Sequence, residues 1–139
     1  MGIVYRIDQE KGITFVRWDG VVTAEDFIAH VLRLTSDASW PPPGRLHLSD
    51  LRSASLDIAK VDEAILEKAA KLFGRHPEKI AKMKAAIVAN EAFKKSVSFE
   101  HYAAPYGLSV IVFNTLHTAC IWLGIDAGEA EGALRQLRA

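Results

Sequence analysis

The chain has 139 residues, of which 50% are apolar, and its 17 basic and 17 acidic residues leave a formal net charge of zero. This length predicts a single domain, residues 1–139, with enough apolar side chains to fill an ordinary core. The balanced charge argues against nucleic-acid binding, because contacts to phosphates require a basic excess. We therefore expect a globular domain that does not bind nucleic acid.

The number of cysteines and the length of the apolar runs indicate in which cellular compartment the protein is expected. Cys120 is the single cysteine, so no disulfide can form within the chain, and a reducing compartment is the simplest home. Residues 1–12 lack the apolar core of a signal peptide. No apolar run approaches the roughly 20 residues of a membrane helix. We expect a cytoplasmic protein without a membrane span.

The first half of the chain predicts a hairpin, a helix and a third strand. Alternating side chains mark the opening strands, and the short polar link between them favours antiparallel pairing. Asp19-Gly20 is expected to end the second strand. Thr23 is expected to cap the first helix, and Pro41–Pro43 force an extended connection after it. The expected elements are strands at 3–8, 12–18 and 46–48, the last ending near Asp50, and a helix at 23–36.

The second half predicts helices that alternate with buried strands. Each helix is expected to begin at a side chain that accepts hydrogen bonds from its first backbone N–H groups. Gly74 and Gly124 are the usual stop signals for two of these helices. The expected caps are Ser55 or Asp57, Asn90, Asn114 and Asp126. The expected elements are helices at 57–74, 90–102, 115–123 and 126–138 and strands at 84–89 and 108–113.

The order of these elements predicts an α/β fold. Strands separated by helices imply parallel pairing with right-handed crossovers, and the opening hairpin adds an antiparallel edge strand. A protein near zero charge resists self-association poorly. A homodimer, paired through the edge hairpin or through the helix that carries Trp122, is therefore a candidate assembly.

Three sequence motifs indicate a family. They are W-D-G at 18–20 followed by the helix start T-A-E-D, H-L-S-D-L-R at 47–52, and V-F-N-T-L-H-T-A-C-I-W-L-G at 112–124. With these motifs the chain resembles the SpoIIAA-like family of small bacterial proteins, related in fold to STAS domains and to CRAL-TRIO lipid-transfer domains. The resemblance implies a four- to five-stranded, mostly parallel sheet flanked by four to five helices. It also implies a binding or switching module rather than an enzyme.

The segment 50–57 is the first candidate site. It is predicted to follow a strand and precede a helix, where α/β proteins collect ligands and where helix amides and a forked arginine can hold an anion. STAS relatives carry a phosphorylatable serine at this place, which implies Ser53 or Ser55 here. The alternative is that these residues are only caps and loop formers. The candidate regulatory or anion-binding residues are Asp50, Arg52, Ser53 and Ser55.

Aromatic residues mark a second candidate site. Trp40 precedes three prolines, where it either packs over the core or meets a partner or a ligand. The lipid-transfer relatives imply an apolar pocket, which other aromatic residues near the end of the third helix would share. The candidate pocket residues are Trp40, Phe93, Tyr102 and Tyr106.

Catalytic and metal motifs are missing from the sequence. There is no nucleophile elbow, dinucleotide fingerprint or phosphate-binding loop. His117 and Cys120 share a helix face, but a zinc site usually needs four ligands, so a core cysteine beside a half-exposed histidine is expected. We predict a non-enzymatic module without metal or cofactor, which docks a protein partner through the loop 50–57 under the control of phosphate. The alternative prediction is a carrier of a small apolar or lipid ligand held between helices and sheet.

Overall fold

A computed structural model describes residues 2–57 and 60–137. In these ranges the chain forms five strands, six helices and a short 3₁₀ turn at Ala104–Tyr106. The strands are β1 Gly2–Asp8, β2 Ile13–Val22, β3 Leu46–Leu56, β4 Lys84–Val88 and β5 Ser109–Phe113. The helices are α1 Ala24–Ser36, α2 Glu63–Gly74, α3 Pro77–Ile80, α4 Phe93–Ala103, α5 Leu116–Leu123 and α6 Ala127–Gln136.

The five strands form one sheet in the order β1-β2-β3-β4-β5. β1 pairs with β2 antiparallel, and the other neighbours pair parallel. The predicted α/β class, with a mostly parallel sheet and an antiparallel N-terminal hairpin strand, is confirmed. Because the parallel strands advance in one direction and their crossovers are right-handed, the connecting helices must lie on the same face of the sheet.

Each face of the sheet carries its own apolar core. Side chains of Val16 and Trp18 on β2 point to the face covered by α1, α2 and α4, whereas their neighbours Ile13 and Phe15 point to the opposite face. This alternation follows from the two-residue period of a strand. After β5 the chain crosses to the second face, where α5 packs on β4 and β5 and α6 packs on β2. The sheet is therefore covered by α1, α2 and α4 on one side, where the short α3 adds Ile80 to the core, and by α5 and α6 on the other.

Two strands are longer than the sequence predicts. β2 continues through Asp19-Gly20 to Val22, because its pairing with β3 extends to Val22–Leu56, and Gly20 has a φ of +70° within this stretch. β3 continues past Asp50 to Leu56, so the predicted loop 50–57 is wrong over most of its length. Between the pairs Arg17–Asp50 and Asp19–Ser53, β3 contains one residue more than β2, which is the count of a β-bulge.

The helix boundaries test the predicted caps. Thr23 caps α1 through a reciprocal capping box with Asp26, Asp126 caps α6, and Gly124 ends α5 in the left-handed conformation, as predicted. The other predicted caps are wrong. α2 is capped by Asp62, α4 begins at Phe93 after Ala92, and α5 is capped by Thr115. The predicted caps are polar residues that lie one to seven positions before the observed ones. The short helix α3 is absent from the sequence prediction.

α6 ends at Gln136, and the predicted end at Arg138 lies outside the described residues. Among the described helices, none has the length and apolar character that a bilayer crossing requires.

A close backbone contact joins the starts of β2 and β3. Gly12 has a φ of +69°, and a Cβ added there would lie 2.6 Å from Gly44 Cα. Leu46 N donates to Gly12 O at 3.1 Å, which fixes the two segments at this separation. Gly20 has nearly the same φ, +70°, but nothing lies within 4 Å of an added Cβ.

We predict that Gly12→Ala lowers the free energy of unfolding by about 3 kcal/mol, because it adds a backbone clash to the conformational cost. Gly20→Ala should cost only the conformational part, about 1 kcal/mol. Urea unfolding of both variants measures the difference. Equal losses would contradict the role of the Gly12–Gly44 contact.

Candidate functional site

An apolar cavity of about 70 Å³ lies between the sheet and helices α1, α2 and α4. Its floor is made by alternate residues of β2 to β5, which all point to the same face, and its roof by inward-facing helix residues. Only a few polar side chains, two of them histidines, reach it. The lining residues are Trp18, Phe27, His30, Val31, Trp40, His47, Ser49, Leu51, Leu56, Val61, Leu66, Phe73, Met83, Ala85, Ile87, Lys95, Ser96, Phe99, Leu108 and Val110.

Five aromatic side chains form a continuous string along this cavity. Neighbouring rings in the string lie between 5.2 and 6.1 Å apart, centroid to centroid, in tilted or edge-on arrangements. Such distances and angles suit the quadrupoles of aromatic rings. In order, the string is Trp18, Phe27, Phe99, Phe73 and Trp40.

The Trp40 end of the string contains a paired indole. Trp40 is 2% exposed, and its Nε1 donates a long hydrogen bond of 3.5 Å to Nδ1 of His47. An accepting Nδ1 places the proton of the neutral imidazole on Nε2. Burial lowers the pKa of His47 to about 4, so the ring is uncharged at neutral pH.

The Trp18 end contains an unpaired indole beside a second histidine. The rings of Trp18 and His30 lie 6.2 Å apart at an angle of 72°. Burial first, and then the charges of His47 and Arg33, lower the pKa of His30 to about 3. Among the described residues, neither Trp18 Nε1 nor His30 Nδ1 has a hydrogen-bond partner, although both atoms are buried. Thr14 Oγ1 on the same strand as Trp18 is also buried without a partner, but Thr14 does not line the cavity.

Of the four predicted pocket residues, the structure places only Trp40 on the cavity. Phe93 and Tyr102 are partly buried at the margin of the same core, and the Tyr102 hydroxyl donates to Glu63 Oε1 at 3.0 Å. Tyr106 is 38% exposed, and its ring covers Gly74. The inward face of α4 instead consists of Ser96, Phe99 and Ala103.

Sequence reasoning missed His30 as a site residue. Phe27, Val31 and Leu34 define the buried face of α1, and His30 stands three residues after Phe27 on that same face. A histidine at a core position of an amphipathic helix was therefore the available signal. The residues of β3 and β4 that line the cavity could not be assigned to it, because this requires the order of the strands in the sheet.

A polar groove of about 290 Å³ lies on the other face of the sheet, between β2, β3 and α6. Asp50 is 7% exposed and accepts from Arg52 Nε and Nη2, both at 2.9 Å, and from Arg52 N at 3.0 Å. Arg52 Nη2 also donates to Glu131 Oε2 at 2.9 Å. The hydrogen bond to Asp50 raises the pKa of the Arg52 guanidinium above its ordinary value. The residues lining the groove are Arg17, Asp50, Arg52, Ser53, Glu131, Leu134 and Arg135.

Arg17 binds the C-terminal end of α6 next to the contacts of Asp50, Arg52 and Glu131. Its Nε lies 3.0 Å from Asp19 Oδ2, and its Nη1 donates to the carbonyl oxygens of Leu134 and Leu137. An arginine at the C-terminus of a helix satisfies carbonyl groups that have no partner inside the helix. Arg17 and Arg52 thus already use their donors within the protein.

The predicted regulatory residues are brought together only in part. Asp50, Arg52 and Ser53 line the polar groove, whereas Ser55 does not. Both serines lie within β3, paired with Asp19 and Val21, and α2 begins only at Glu63. Their predicted position at a helix N-terminus is wrong, because parallel pairing with β2 extends the strand across them.

Cys120 and His117 have different environments. Cys120 is 1% exposed in the core beneath α5 and α6, and burial raises the pKa of its thiol. His117 is exposed on the outer side of α5. Within residues 2–57 and 60–137, no group of three or more His, Cys, Asp or Glu side chains could hold a metal ion.

Comparison with known proteins supports the fold. No protein-family model matches the sequence, and a search of curated proteins gave no match. Among solved structures, the chain is similar to an uncharacterised protein of the DUF3478 family with a SpoIIAA-like fold from Shewanella loihica PV-4. The similarity covers 88% of this chain and 94% of that chain, with a TM-score of 0.53 and 16% sequence identity. At this identity the likeness concerns the fold alone, and the predicted SpoIIAA-like fold is confirmed.

The two buried histidines predict acid sensitivity. In the unfolded chain a histidine has a pKa of about 6.5, whereas the folded values are about 3 and 4. Between these limits the unfolded state binds more protons, so stability decreases as the pH falls. Each histidine should contribute about 1.4 kcal/mol per pH unit well below pH 6.5. Urea unfolding between pH 7 and 5 should therefore show a loss of several kcal/mol.

Two variants test whether the buried histidines cause this pH dependence of stability. His30→Phe should remove about half of the slope attributed to the two histidines, and the exposed His117→Phe should leave it unchanged. A slope that His30→Phe does not alter would show that His30 is not held neutral by burial.

The Asp50–Arg52 pair predicts a second stability difference. Arg52→Met leaves Asp50 buried without its guanidinium partner, which should lower the free energy of unfolding by about 2–3 kcal/mol, allowing for water that can reach the groove. Arg135 lines the same groove but forms no ion pair with a described residue, so Arg135→Met should change stability by less than about 0.5 kcal/mol. Urea unfolding measures the stability of both variants. Similar losses of unfolding free energy would contradict a specific role for the Asp50–Arg52 pair.

Proposed function

We propose that this protein binds a small apolar molecule in the cavity between its sheet and helices α1, α2 and α4. The observation that carries the proposal is the cavity itself, which is lined by the aromatic string and by aliphatic side chains of the three strands β3, β4 and β5. Sites for small molecules are typically concave and apolar, with a few polar groups placed at fixed points. The fold supports the proposal by placing three helices over one sheet face.

The chemistry of the two concave regions favours the cavity over the polar groove. The groove is the larger of the two, about 290 Å³ against about 70 Å³. However, most of its charged side chains are paired with one another, since Asp50 and Glu131 bind Arg52 and Asp19 binds Arg17. Arg135 is the charged lining residue that forms no ion pair with a described residue. In the cavity, by contrast, buried polar atoms of Trp18 and His30 have no described partner. An incoming molecule therefore gains contacts in the cavity without breaking existing ones.

The volume of the cavity limits its ligand. Ordinary ligand pockets measure roughly 300–1,000 Å³, and an engineered cavity of roughly 150 Å³ holds one benzene molecule. A cavity of about 70 Å³ is about half that size, so a single ring or a short chain enters only when the lining side chains move enough to roughly double its volume. A lipid with long acyl chains requires a larger opening between the helices and the sheet.

Native mass spectrometry of protein purified gently from its own cells tests the proposal directly. A bound small molecule should appear as a discrete mass difference and should disappear after denaturation. A variant with a filled cavity, Ala85→Leu, should lose this mass difference. Persistence of the adduct in Ala85→Leu would place the molecule elsewhere.

Neighbouring residues of β4 provide a stability test of the same cavity. Ala85 points into the cavity and Ala86 into the opposite core, where it is fully buried. Ala85→Leu should change the free energy of unfolding by less than about 1 kcal/mol, because the added atoms enter free space. Ala86→Leu should cost about 1–3 kcal/mol, because it overpacks a filled core. Equal losses in thermal or urea unfolding would contradict the presence of usable space beside Ala85.

A second candidate function is docking of a protein partner on the segment 50–57, modulated by phosphate at Ser53 or Ser55. It is supported by the exposure of Ser53 and by its position in a groove that Arg17, Arg52 and Arg135 also line. Pull-down of a partner by the wild type and by a Ser53→Ala, Ser55→Ala double variant tests it. Unchanged capture by the double variant would refute this function.

A homodimer is a separate proposal. β1 and β5 are the two edges of the sheet, and near β5 the side chains of Ile111 and Ile121 are 38% and 66% exposed. Trp122 itself is half-buried, with Lys84 Nζ 5.1 Å from its ring centroid. Light scattering of the purified protein measures the mass in solution and decides between monomer and dimer.

A further inference from the structure

The Trp18 end of the cavity differs from the Trp40 end in its hydrogen bonding. Trp40 Nε1 donates to His47, so that indole is satisfied within the protein. Trp18 Nε1 and His30 Nδ1 are buried, belong to two elements that face each other, and have no hydrogen-bond partner among the described residues. Both side chains line the cavity. The two ends are thus chemically distinct.

Unpaired buried polar atoms are unfavourable. A buried donor or acceptor without a partner costs folding free energy, and native proteins leave few of them. An apolar side chain at either position would avoid this cost. Because both side chains line the cavity, an occupant that reaches these two atoms would supply the missing hydrogen bonds.

The pair of atoms also specifies the polar group that fits. An indole N–H only donates, whereas a neutral imidazole offers one donor and one acceptor nitrogen. A hydroxyl group both accepts and donates, so it can accept from Trp18 Nε1 and donate to His30 Nδ1. Burial keeps His30 uncharged, and an apolar lining disfavours an ionised ligand without a buried counter-charge.

Building on the proposed function, we propose that the cavity binds a small neutral molecule that carries one hydroxyl group, a phenol or an alcohol of similar size. Its hydroxyl lies between Trp18 Nε1 and His30 Nδ1, and its apolar body lies along the aromatic string toward Trp40. Lys95 also lines the cavity and forms no ion pair with a described residue. A carboxylate held by Lys95 is therefore the competing chemistry that an experiment must separate.

Calorimetric titration with phenol, toluene and benzoate provides this separation. Phenol and toluene have nearly the same shape, but toluene has a methyl group in place of the hydroxyl. We expect wild-type protein to bind phenol about tenfold more tightly than toluene, the value of one or two well-formed hydrogen bonds. Benzoate should bind more weakly than phenol.

Two tryptophan variants supply matched controls. Trp18→Phe should abolish the preference for phenol, and Trp40→Phe should retain it, because Trp40 Nε1 is already paired with His47. Both variants enlarge the cavity similarly, so the ratio of the two affinities reports the hydrogen bond rather than the volume. The measurement also works without variants, since the Trp18 indole N–H resonance of the wild type should shift with phenol and much less with toluene.

The outcomes distinguish this inference from the proposed function. If neither phenol nor toluene binds, the cavity is not a site for molecules of this size, and both proposals fail. If toluene binds as tightly as phenol, or if Trp18→Phe retains the preference, the cavity binds apolar molecules but the hydroxyl assignment is wrong. If benzoate binds most tightly and Lys95→Met abolishes that binding, the ligand is an acid and the neutral hydroxyl is refuted.

Discussion

The direction in which the strands advance determines the rest of the structure. β2, β3, β4 and β5 follow one another across the sheet without a reversal. Since each parallel crossover is right-handed, α1, α2 and α4 must all cover one face, and only the chain after β5 can cover the other. This arrangement concentrates aromatic side chains on the three-helix face. It leaves the opposite face to the last two helices, which pack on it through a smaller apolar cluster.

The two faces are consequently held by different interactions. On the three-helix face, aromatic rings and aliphatic side chains surround a cavity, and the few polar groups that line it are two uncharged histidines, two serines and Lys95. On the two-helix face, Arg17 and Arg52 reach from the sheet to α6 and bind its final carbonyl groups and Glu131. The bulge in β3 lies at this place, and Arg52 within it donates to Asp50 from both its backbone and its side chain.

The fold was predictable from the sequence, whereas the site was predictable only in part. Strand periodicity and the Thr23 and Asp126 caps are local properties, so they appear in the sequence directly. The length of β3 is not local, since Ser53 and Ser55 remain in a strand only because β2 extends beside them. The sequence identified Trp40 as a candidate because it precedes three prolines. The role of His30, by contrast, depends on the indole of Trp18, which only the fold brings near it. The core position of His30 is visible in the sequence. Its neighbour Trp18 is not, and neither is the contact of Glu131 with Arg52, because these pairs depend on the fold.

The contrast between the two faces has a consequence for how the molecule responds to solvent. The arginine contacts of α6 are electrostatic and partly exposed, so added salt screens them. Apolar burial on the three-helix face is strengthened by salts such as sulfate, which are excluded from protein surfaces. One change in ionic conditions therefore weakens the arginine contacts of α6 while it strengthens apolar burial on both faces of the sheet, so α6 is subject to both effects at once.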